Sequence, residues 1–127
     1  MKTLQQAFNT AAEHLINQKY RSLTTEGTCA YRGPTGAKCA VGVLIEDENY
    51  DSDLEGASSF GEKVIEALSK SGYPTDSAAM NLYRDLQFVH DCNPIGHWPA
   101  ELRGIASHHK LEIPPCLCPQ ESTASLG

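Results

Sequence analysis

The chain has no apolar run approaching the roughly 18 residues that a bilayer-spanning helix requires. Residues 1–6, MKTLQQ, also lack the apolar stretch of a secretory signal. Clustered cations are missing as well: ten Lys and Arg stand against sixteen Asp and Glu, for a net charge of −6. The bases are scattered, with Lys2, Lys19, Arg21, Arg32 and Lys38 early and Lys63, Lys70, Arg84, Arg103 and Lys110 later. A groove that neutralises phosphates needs several cations together, so the expectation is no nucleic-acid partner. There is no glycine-rich phosphate loop, no His-Glu-x-x-His and no carboxylate pair at glycosidase-like positions. The five cysteines are an odd number in a 127-residue chain large enough to build a core without staples. Reduced thiols in a cytoplasm fit that count better than a disulfide framework. Nothing in the sequence asks for a cofactor, and nothing states the oligomeric state.

What is present reads as one domain over residues 1–113, followed by a Pro-, Cys-, Ser- and Thr-rich flexible tail over 114–127. Leu4, Phe8, Ala11, Ala12, Leu15 and Ile16 recur at helical spacing and predict a first helix over 3–18, with His14 just off its apolar face at the surface. Residues 28–32 predict a short strand. Gly33-Pro34-Thr35-Gly36 is the strongest turn signal, because proline presets one backbone angle and glycine permits positive φ. A turn centred on Pro34 sets Cys29 opposite Cys39. The return run 37–45 reads as strand pairing to about Lys38 and then a helical turn. An acidic loop over 46–59 follows, containing Glu46, Asp47, Glu48, Asp51, Asp53 and Glu55. Further helices are expected over 60–71 with Gly72 as its stop, from Pro74 to about Asn93 with Thr75 or Asp76 as cap, and over 99–109. The expected class is therefore α+β: a short β-hairpin packed on three or four helices. Its core is expected from Phe8, Leu15, Val41, Leu44, Ile45, Val64, Leu68, Leu82, Leu86, Val89, Trp98, Leu102 and Ile105.

Three constellations are candidates for chemistry. If Cys39 begins a helix, its thiolate is favoured by backbone N–H groups and by Lys38, and His90 is a candidate base for it. Against this stands the ordinary role of cysteine as a small apolar core residue. Asp91 follows His90 directly, and adjacent helical residues diverge by about a hundred degrees, so Asp91 is expected to serve backbone N–H groups and not to orient His90. Cys29, Cys39 and His90 are a weak alternative as zinc ligands, since their spacing is not that of a knuckle. Tyr31, Arg32, Glu55 and Asp91 form a candidate ligand-binding set, with an internal Arg32–Glu55 ion pair as the plainer reading. His108 and His109 suit the end of a helix, and Cys116 with Cys118 suits adventitious binding or oxidation.

The pattern Cys29-Ala30-Tyr31-Arg32, then Cys39-Ala40-Val41-Gly42-Val43-Leu44-Ile45, Glu55-Gly56, Leu86-Gln87-Phe88-Val89-His90-Asp91 and Trp98 resembles a group of uncharacterised small proteins from tailed bacteriophages and prophages. The likeness covers roughly residues 1–113. It implies a source and not a reaction: accessory proteins of this kind commonly bind a host protein, such as a defence component, or capture a small ligand. A non-catalytic cytoplasmic binder is therefore the leading expectation. Its contact surfaces are expected at the acidic loop and around Tyr31–Arg32. A thiol enzyme with Cys39 and His90 is the second expectation.

Overall fold

The computed structural model describes residues 2–23, 30–33, 36–51, 54 and 62–117. Cys29, Pro34, Thr35, Asp53, Glu55, Gly56, Phe60 and Cys118 lie outside the described residues, and so does the tail from 118. Four helices dominate: α1, Leu4–Gln18; α2, Glu62–Lys70; α3, Ser77–Cys92; and α4, Trp98–His108.

Each helix begins or ends where its sequence dictates. Thr3 caps α1 in a complete capping box, its side chain accepting from Gln6 N–H while the Gln6 side chain accepts from Thr3 N–H. Such a cap contributes about 1 kcal/mol. Asp76 caps α3 by accepting from Ala79 N–H at 3.1 Å. Gly72, at φ +91, turns the chain after α2 in a conformation that glycine adopts without strain. α3 stops at Cys92, just before Pro94.

The expected α+β class is overturned, because the protein is mostly helical and builds no sheet among the described residues. The predicted hairpin shrinks to one bridge between described residues, Arg32 with Lys38. Gly33 N–H donates to Ala37 O at 2.8 Å and Cys39 N–H to Tyr31 O at 3.2 Å. In that register Tyr31 faces Cys39, and the expected Cys29 pairing lies outside the described residues. Pairing ends there because the chain winds immediately into a 3-10 turn at Gly42–Leu44, the helical turn expected after Lys38. Two hydrogen bonds are too few to make a strand ladder. The segment is held instead by α1: Gln18 accepts from Lys38 N–H and donates to Lys38 O, and His14 Nε2–H donates to the same carbonyl at 2.8 Å. His14, expected at the surface, is thus half-buried and acts as a brace.

α1, α3 and α4 pack together around a core that contains all thirteen residues expected there. It also takes in Tyr31, Tyr73, Tyr83 and Leu117. Leu117 moves the packed boundary past the expected one at 113. Pro115–Leu117 forms a short 3-10 turn against α1 and α4, and Leu117 O accepts from Arg103. An apolar leucine drives this docking even though its neighbours in sequence look like linker. Gln5 closes the same seam, accepting from Glu112 N–H and donating to Glu112 O.

Candidate functional site

The conspicuous residues of the sequence converge on a buried polar network where α3 ends. His90 is fully buried and lies stacked on Trp98, with ring centroids 5.8 Å apart. Ser22 N–H donates to its Nε2 at 3.0 Å, which makes Nε2 the lone-pair nitrogen and leaves the proton on Nδ1. Nδ1–H donates to Asp91 Oδ1 at 2.7 Å. The expectation that Asp91 cannot orient His90 is therefore corrected. At the last turn of α3 the short Asp91 side chain folds back onto its neighbour despite the helical divergence. Both ring nitrogens are committed, which leaves neither for a proton relay or a metal ion.

Gln87, one turn before Asp91, extends the network. Its amide donates to Asp91 Oδ1 at 3.0 Å and its carbonyl accepts from Val41 N–H at 3.3 Å. Arg21 caps the same helix end from outside, donating through Nε to His90 O and through its guanidinium to Asn93 O. Ser22 adds a hydrogen bond from its hydroxyl to Ala37 O. Ser22 and Gln87 were not singled out as site residues in the sequence. The four-residue step from Gln87 to Asp91 was the signal available for one of them.

Cys39 is buried, and burial pushes its thiol up to about 12. Gly42 N–H donates to its sulfur at 3.3 Å. The expected activation by a helix start and by Lys38 fails because desolvation outweighs the backbone donors. Tyr31 is buried directly above this turn. A Cβ on Gly42 would stand 2.0 Å from Tyr31 O, so the glycine is required for the backbone to approach. Arg32 is a strut: it donates to Ile45 O at 2.7 Å, pairs with Asp47 at 2.8 Å and lies over the Tyr50 ring at 4.5 Å. Its acidic partner in the described structure is Asp47, while Glu55 lies outside the described residues. Cys29 does too, so of the weak zinc set Cys29, Cys39 and His90, only Cys39 and His90 are described, and His90 has no nitrogen to give.

One open cleft includes Tyr50, the ring that Arg32 covers. This cleft, of about 290 Å³, separates the acidic turn from α2. One wall carries Glu48, Asn49, Tyr50, Asp51 and Leu54; the other carries Lys63, Glu66, Ala67 and Lys70, which share one helix face by their three- and four-residue spacing. Ser71 anchors the first wall, its hydroxyl accepting from Glu46 N–H at 2.9 Å and from Asn49 at 3.2 Å. Lys2 pairs with Glu46 and lies over Tyr73. Among the described helices none is long and apolar enough to cross a membrane. Compared with known proteins, the chain matches no family model, no curated protein and no solved structure.

Proposed function

We propose that this is a non-catalytic binding protein of the phage or prophage accessory kind, acting in the bacterial cytoplasm on a host protein or a small polar ligand. The observation that carries this reading is the contrast in access. The thiol and imidazole suited to catalysis are sealed in the core, whereas the cleft between the acidic turn and α2 is open and lined by charges of both signs. Mixed charge around a concave surface favours orientation and selection of a polar partner. Arg32 supports this surface from behind by holding Asp47 and stacking on Tyr50. Thiol catalysis has no comparable support, since a nucleophile must reach both its base and its substrate.

The test is affinity capture from host lysate, and retention of host metabolites, by the wild-type chain and by a Glu48→Lys/Glu66→Lys variant. Both positions are exposed, so the fold is expected to survive, as circular dichroism would register. The reading expects a host component held by the wild type and lost by the variant. Identical recoveries from both proteins, or none from either, would overturn it.

A further inference from the structure

We propose that Asp85, His108 and His109 form a surface site for a divalent first-row transition metal, joining α3 to α4. Their ligand-capable atoms lie within 4.8 Å of one another, the one such group among the described residues. His109 Nε2 is 2.7 Å from Asp85 Oδ2, and the two imidazoles meet edge to face with centroids 5.0 Å apart. Consecutive residues inside a helix diverge too far to share an ion. Here the helix ends between them. His108 is the last residue of α4, His109 sits at φ −94 and ψ 6, and Lys110 is left-handed at φ 58. This break turns both rings toward each other and toward Asp85 on the neighbouring helix.

The donor set selects the class of ion. Two imidazole nitrogens and one carboxylate oxygen suit zinc, cobalt or nickel, whereas magnesium and calcium take all-oxygen shells. Bonds of about 2.1 Å in tetrahedral array place ligand atoms about 3.4 Å apart. The exposed His108 closes the wider gap by rotamer change, and the His109–Asp85 pair opens by about 0.7 Å to admit the ion. The metal takes the position at Nε2 that faces Asp85, and the neutral His109 ring then carries its one proton on Nδ1, exchanged through solvent. The surrounding cleft, about 430 Å³, includes Asn81 and Arg84, with Arg84 donating to Asn81 Oδ1 at 3.2 Å. Its open side leaves coordination positions for water or for a donor from another molecule.

The experiment is calorimetric titration of the chelator-treated full chain with zinc chloride, paired with cobalt(II) absorption as a geometric signature. One equivalent is expected to bind, and His108→Ala and Asp85→Asn are each expected to weaken it at least tenfold. A Cys92→Ser/Cys116→Ser/Cys118→Ser variant is expected to bind as the parent does, which separates this site from binding by those thiols. His108 is exposed, so its replacement leaves folding intact; an unchanged melting temperature without metal checks this. Absence of binding at millimolar zinc would overturn the proposal. So would binding that survives both ligand substitutions, or binding that disappears with the thiols.

Discussion

Two regions of this molecule carry similar residue types and use them in opposite ways. At the end of α3 and around residues 31–45, a histidine, a cysteine and an arginine are folded inward onto backbone groups, with Asp91 holding the histidine. At the far end of α4 and along α2, histidines, acids and lysines stand at open clefts. Chemical potential therefore depends on access and on what each polar atom already serves, and not on residue type. A buried donor left unpaired costs about 1–3 kcal/mol, so the inward set is held in place by that penalty.

The contrast is broken most directly at Gly42. Gly42→Ala drives a methyl group into Tyr31 O and is expected to cost about 3 kcal/mol or more in urea unfolding. Retention of wild-type stability would mean that the 31–45 segment is not packed as described. His90→Ala should cost about 2–3 kcal/mol, through the orphaned Ser22 N–H and the void beside Trp98. A loss under about 0.5 kcal/mol would place His90 among replaceable surface residues.

Alkylation sharpens the same comparison without mutation. With its pKa near 12, the Cys39 thiol is ionised to roughly one part in ten thousand at pH 8. Iodoacetamide followed by peptide mapping should therefore label exposed Cys92 and Cys116 at least a hundredfold faster than Cys39 in the native protein. Rapid native labelling of Cys39 would revive the thiol-enzyme reading.

The smallest effect belongs to His14. Burial is the leading cause that lowers its pKa below 6.5, so the folded state favours the neutral ring. Its contribution is complete above that unfolded value and is lost as pH falls through the lower folded value, because the unfolded chain then binds more protons. Stability should decline as pH falls below the unfolded value of 6.5, and His14→Gln should flatten part of that decline. Parallel profiles for the two proteins would remove His14 from the account.

Much of the helical frame was legible because its signals are local. The Thr3 cap, the Gly72 stop, the break before Pro94 and the apolar spacing of α1 and α3 each act within a turn or two of chain. The hairpin was misread because the turn chemistry of Gly33 and Gly36 specifies reversal and not the length of the ladder that follows. That length was decided by the 3-10 turn at Gly42–Leu44 and by Gln18 and His14, which hold Lys38 across twenty or more residues of separation. The site was hardest for the same reason. Cys39 and His90 could be seen as reactive types, but the Ser22 N–H that occupies His90 comes from 68 positions away. The pairing of Asp85 with His109 likewise depends on how α3 meets α4.

The seam between α1 and the turn at Leu117 has a consequence for how the protein is made. Gln5 and Glu112 exchange two hydrogen bonds, and Leu117 fills space beside α1, which leaves the ribosome about a hundred residues earlier. α1 must wait for residues near 117 before its apolar face is fully covered. Until then that face is exposed to chaperones and to other nascent chains. A stop codon shortly before 117 should therefore reduce yield more sharply than its few lost residues suggest.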